Sequence, residues 1–452
     1  MTLLGLFAHS FGRLYNLPVP FWLYAYGAAA ALALSFVVVA YFASAPAAKH
    51  VEPSRSAPFP APRWLARCSR AFSVIALALC IATGLFGTGN PFANFNMTFF
   101  WVVFVLGCTY LCALIGDVAP INPWLLLSRG DGVVRYPQRL GYWPALTLYM
   151  GFIWLELFGS VRPFSLAVTL IAYTVLNLAG VWLIGKRDWF RYCEFFSVFF
   201  RSIGRMAPLA NTPQGMRWRA PFVGVLDEPA ERMSLVVFAL FMLSSTAFDG
   251  MRETIAWVNF FSLDLAPMLT SLLGASAQSY AVMHRLYVGW QLFALVISPF
   301  VYFGVYAIFI AAAKAAARSE RPMRELLLRF ALTLLPIALA YNLTHYYTLL
   351  ITQGVKIVPL VSDPFGRGWN LFGTANLLRA PIIPNAAVVW HTQVALIVLG
   401  HVASVYLAHV EALRLFGDRK RAALSQLPML ALMILFTTIG LWILAQPIQA
   451  GI

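Results

Sequence analysis

Long apolar runs, broken by short polar stretches rich in Pro, Gly and charge, dominate the pattern along this chain. Ten of them stand out, at 21–44, 71–88, 97–115, 143–159, 164–185, 234–251, 286–313, 328–350, 386–410 and 427–447. Most reach the ~18 residues that mark a helix able to cross a bilayer. The pattern predicts an all-α fold: a polytopic transmembrane bundle of about ten spans, with 1–452 forming a single integral membrane domain.

Composition strengthens that reading. Of 452 residues, 61% are hydrophobic and only 11% charged, against about 25% charged in a soluble domain. A soluble enzyme, a disordered tail and a secreted disulfide scaffold are excluded. The net charge of +15 does not point to nucleic acid, because Lys and Arg on membrane proteins collect in cytoplasmic loops. Counted over 45–70, 116–142, 186–233, 314–327 and 411–426, with the inner ends of the flanking spans, they number 25 of 32. Arg13, Arg162, Arg252, Arg285, Lys356, Arg367 and Arg379 fall on the other side. This asymmetry predicts that both termini face outward and that the first apolar run is an uncleaved anchor. The five cysteines form no CxxC or CxxCH signature and suggest no disulfide.

Three connecting segments carry patterns of their own. In 186–207, Arg187, Arg191, Glu194, Arg201 and Arg205 share one helical stripe, and Phe190, Phe196, Phe200 and Ile203 share the opposite one. That predicts an interfacial amphipathic helix on the cytoplasmic leaflet, the alternative being a cytosolic helix packed on the bundle. Segments 252–285 and 351–385 exceed thirty residues and contain apolar stretches. Both are expected to cap the outer face.

Ionisable groups inside a bilayer cost roughly 2.5–3.5 kcal/mol on insertion scales, so each one asks for a reason. Glu156, Asp249, His284, His345 and His391 lie toward outer span ends, Asp264 and Asp363 lie in the caps, and His9 lies in the N-terminal arm. His50 falls in a cytosolic loop, and His401 and His409 fall within the ninth span. On a helix, His391, His401 and His409 cannot jointly ligate one ion, so a metal site must draw on several helices. The candidate ligands are His345, His401 and Asp249, with Asp249 and Glu156 as candidate catalytic carboxylates. Each His has a plainer reading as polar glue between helices. In SDPFGRGWNLFGT, from Ser362 to Thr374, Arg367 offers a planar donor fork and Trp369 an aromatic surface for substrate. Asp117, in IGDVAPINPW, reads as a cap at a span end.

The segments AHSFGRLYNLPVPFWLYAYGAAAAL, IGDVAPINPW, FIWLEL, STAFDG, SDPFGRGWNLFGT and VLGHVASVYLAHVEAL resemble those of fenitrothion hydrolase-like bacterial membrane proteins, over nearly the whole length. The resemblance implies a bacterial inner-membrane location and hydrolysis of an organophosphate ester. The matching positions are His9, Asp117, Glu156, Asp249, Asp363, His401 and His409. A divalent metal would supply a hydroxide near neutral pH, for a hydrophobic substrate arriving through the lipid. The alternative is a non-enzymatic transporter, or a membrane anchor for a periplasmic redox or metal-handling partner subunit. Haem binding through His401 is a lesser option.

Overall fold

A computed structural model describes residues 20–42, 63–118, 121–159, 161–212, 215–273, 279–378, 380 and 382–446. The fold is helical. In chain order the principal helices are α1 (Phe21–Phe42), α2 (Arg63–Phe86), α3 (Phe95–Ile115), α4 (Trp143–Phe158), α5 (Pro163–Ile184) and α6 (Phe195–Gly204). They continue as α7 (Met233–Arg252), α8 (Ile255–Leu272), α9 (Tyr280–Ala316), α10 (Met323–Ser362), α11 (Ala386–Phe416) and α12 (Arg419–Ala445). One antiparallel hairpin, β1 (Leu209–Thr212) with β2 (Gly215–Trp218), pairs Leu209 with Trp218.

Among the described residues, ten helices are long and apolar enough to cross a membrane, and the chain is a multi-pass membrane protein. Nine of the ten coincide with the spans expected from the sequence. The tenth differs. The expected span at 143–159 is a helix of only 16 residues, whereas α8, expected within a capping segment, runs for 18 with a single charge, Asp264. Within α8 the backbone is π-helical at Phe260–Leu265, around Asp264. The other capping segment is helical as far as Ser362 and then becomes an irregular loop, with Gly366, Gly368 and Gly373 at positive φ.

The helices divide into two compact units. The first contains α1, α7 from Val236, α8, α9, α10 as far as His345, α11 and α12. Here α12 packs on α1, α9 and α11, around Ala28, Ile397 and Leu441. Small residues set the approach of its helices, as in membrane bundles generally. A Cβ on Gly440 would fall 1.3 Å from the Tyr341 hydroxyl, which donates to the Phe436 carbonyl at 2.6 Å. Glycine there admits the phenol that ties α10 to α12.

The second unit contains α2–α6, the hairpin, the chain through Leu235, and Tyr346–Asn385. Its core is aromatic. Trp124 stacks on Phe196 at 5.7 Å, and Phe104, Phe152, Tyr173, Phe195 and Phe200 pack around them. The apolar stripe of 186–207 therefore fills protein interior. Phe190, Phe196, Phe200 and Ile203 are all at most 5% exposed, which corrects the expectation of a lipid-facing surface. Nor is the segment one helix: a π-turn at Trp189–Cys193 ends at Glu194, where the backbone becomes extended and α6 begins.

Glu194, expected on the solvated stripe, is fully buried as the N-cap of α6. It accepts from the backbone N–H of Ser197 at 2.7 Å and of Phe196 at 3.2 Å, from Asn122 Nδ2 at 3.0 Å, and from the Tyr173 hydroxyl. Four donors satisfy a carboxylate that would otherwise be too costly to bury.

Candidate functional site

α7 is apolar on all sides and almost wholly buried, so its sequence shows no solvent-facing stripe. Its last turn breaks that character with Asp249 and Arg252, followed by Glu253. Asp249 is 3% exposed. Its Oδ2 faces His345 Nε2 at 2.6 Å, and its Oδ1 accepts from Arg252 Nε at 3.2 Å. Arg252 also pairs with Glu253 at 2.9 Å. Burial pushes the Glu253 carboxyl above its ordinary range, with Arg252 pulling it back.

His345 is presented by α10, which is held in place by polar contacts on either side of it. Besides the Tyr341 hydroxyl, the Thr344 carbonyl accepts from Gln393 Nε2 of α11 at 2.8 Å. A carboxylate can only accept, so His345 Nε2 carries a proton toward Asp249. The pair thus has the parts of an acid–base device: an imidazole oriented by a buried carboxylate, whose charge Arg252 balances.

The other sequence candidates have other described partners. Glu156, in the second unit, accepts from the Tyr346 hydroxyl at 2.5 Å. Arg367 donates to the Phe86 carbonyl at 2.8 Å and lies over the Phe365 ring at 5.5 Å. Trp369 packs on the same ring at 5.5 Å. Asp363 accepts from the backbone N–H of Arg367 and of Gly368, fixing the glycine loop. His391 and His284 are exposed and sit beside Tyr24 and Tyr280 respectively. His9 and His50 lie outside the described residues.

His401 is fully buried in α11, with Nδ1 against the Ile397 carbonyl at 2.8 Å and its ring 6.1 Å from that of Tyr341. A carbonyl cannot donate, so Nδ1 carries the proton and Nε2 presents a lone pair. Among the described residues that nitrogen has no hydrogen-bond partner, nor does either ring nitrogen of buried His409. Of the residues proposed as metal ligands, His345 and Asp249 are in contact. Among the described residues no group of three or more His, Cys, Asp or Glu could hold a metal.

Sequence reasoning missed Arg252 and Glu253 as parts of this cluster, although the spacing of Asp249 and Arg252, three apart on a helix, was a usable signal. No local pattern announced Tyr346 as the partner of Glu156, 190 residues away. Comparison of the chain with family models, with curated proteins and with solved structures returns no match.

Proposed function

We propose that this multi-pass membrane protein is a hydrolase of hydrophobic, organophosphate-type esters, working in the bacterial inner membrane with the Asp249–His345 pair as its acid–base centre. The 2.6 Å contact between these two buried side chains carries the reading. In this scheme the pair takes up a proton as water attacks phosphorus, the bond to the leaving oxygen breaks, and the proton passes to that oxygen. Asp249 stabilises the imidazolium formed on the way. The resemblance of STAFDG, which contains Asp249, supports the choice of ester.

The test is turnover of a chromogenic aryl phosphotriester by the purified full chain in proteoliposomes. His345→Gln and Asp249→Asn should each lower the rate by roughly 10²–10⁴-fold. Full activity in either variant overturns the assignment. Elemental analysis of the same preparation decides whether a stoichiometric metal accompanies activity.

A second reading is favoured by one observation: Asp249, Arg252, Glu253 and His345 form a linked charged group at the end of an otherwise apolar spanning helix. Such groups also serve proton-coupled transport. Proton flux in the proteoliposomes without esterase turnover would select that role.

A further inference from the structure

We propose that the second unit holds a binding site for a phosphate ester, the headgroup of an anionic phospholipid, in a cavity of about 1080 Å³ between the 125–131 segment and the chain from Ile184 to Arg205. The cavity is lined by six cations, Arg129, Lys186, Arg187, Arg191, Arg201 and Arg205, against four carboxylates.

Those charges are not equally available. Arg191 is paired with Glu231 at 2.9 Å, and Arg205 lies 3.9 Å from Glu228. Arg201 donates to the Arg191 carbonyl at 2.7 Å, and its charge also acts on Glu231. Among the described residues, Arg129, Lys186 and Arg187 of this lining form no ion pair with a carboxylate, and Asp131 and Asp188 form none with a cation. The cavity keeps a surplus of positive charge, and its arginine forks match phosphate oxygens.

A backbone crossing builds the mouth. Val133 and Val134 donate to the Leu183 carbonyl at 2.9 and 2.8 Å, and Lys186 donates to the Gly130 carbonyl at 3.0 Å. The two strands of chain touch so closely that a Cβ on Gly132 would fall 2.2 Å from the Gly185 nitrogen. Gly132 and Gly185 also have φ of 84° and 87°, which favours glycine at both. The crossing holds Arg129 beside Lys186 and Arg187 at one rim.

The position favours a lipid over a soluble anion. The rim follows directly on the end of the spanning helix α5, whose Trp182 and Leu183 are exposed. Leu125, Ile184 and Phe190 add apolar wall to the charged lining. Charge beside apolar surface at a helix end suits an amphiphile with its phosphate at headgroup depth. The basic stripe of 186–207 is thereby accounted for, as cavity lining.

The experiment is native mass spectrometry of the full chain in detergent with equimolar phosphatidylglycerol and phosphatidylcholine. The wild type should retain phosphatidylglycerol in roughly tenfold or greater preference, and R129Q/K186Q/R187Q should bring this to near parity. R139Q, an exposed change outside the cavity, should leave it intact. A separate arm adds inorganic phosphate or glycerol 3-phosphate. Binding of these that the triple variant loses, without lipid preference, keeps the phosphate site and assigns it a soluble source. Absence of both lipid preference and phosphate binding overturns the proposal, as does loss in R139Q equal to that in the triple variant. Unfolding midpoints verify that each variant is folded.

Discussion

Glu194 and Asp249 are both carboxylates buried in apolar surroundings, and their partners differ in kind. Glu194 is surrounded by neutral donors: two backbone N–H groups, an amide and a phenol. Asp249 is held by an imidazole and a guanidinium. The first arrangement fixes a chain break between a π-turn and a helix. The second joins a carboxylate to an imidazole, a group that can both give and take a proton. A buried carboxylate is thus a weak sign of chemistry by itself, and the identity of its partners separates a cap from an acid–base centre.

The strongest way to break this contrast is to truncate Glu194. Glu194→Ala removes an N-cap and leaves Asn122, Tyr173 and two backbone donors without their acceptor. The expected loss is on the order of 4 kcal/mol, read as a large fall in the unfolding midpoint of the detergent-solubilised protein. A variant as stable as the wild type would mean that water enters and replaces the carboxylate, and the structural half of the contrast would fail.

A smaller stability effect is expected at Asp249. The substitution Asp249→Asn preserves shape and a hydrogen-bond acceptor, so its main cost should appear in turnover. A double-mutant cycle with His345→Gln should give a coupling energy of about 0.6–2 kcal/mol, as for polar pairs in membrane bundles. Additive effects of the two substitutions would show that the side chains do not act as a pair.

The sequence makes the membrane class legible, because apolar runs leave no other solvent for the chain. It is less informative where length is marginal. The 16-residue α4 and the 18-residue α8 carry similar apolar character and differ by two residues, so the apolar pattern alone does not rank one above the other as a span. Periodicity also misplaced Glu194, since its spacing from Arg187, Arg191 and Arg201 reads as a polar stripe only if the helix is continuous. The π-turn and the extended cap break that continuity. At the candidate site, Asp249 and His345 were legible one at a time as ionisable groups in apolar spans. Their pairing joins positions 96 apart, and no local pattern encodes it. The basic cavity was visible as charge, while the crossing that shapes it depends on two glycines far apart in sequence.

The smallest expected effect is a difference in pH dependence between two glutamates of the second unit. Burial raises the Glu194 carboxyl, and its hydrogen bonds only partly offset that. Burial also pushes Glu231 upward, but Tyr142 and Arg191 outweigh it and hold the carboxyl below its ordinary value. The signs are therefore opposite. Folded Glu194 binds its proton more tightly than the unfolded chain does, so stability declines as pH rises from about 4.3 toward its raised value. Folded Glu231 binds its proton less tightly, so its contribution is present above about 4.3 and is lost as pH falls through its lowered value. With side chains 32% and 40% exposed, the Glu231–Arg191 pair should contribute under about 1 kcal/mol. Unfolding midpoints from pH 3 to 8 should show Glu194→Gln flattening the decline at higher pH and Glu231→Gln flattening the loss in acid. If both variants flatten the same limb, partner chemistry does not set the titration of these two carboxylates.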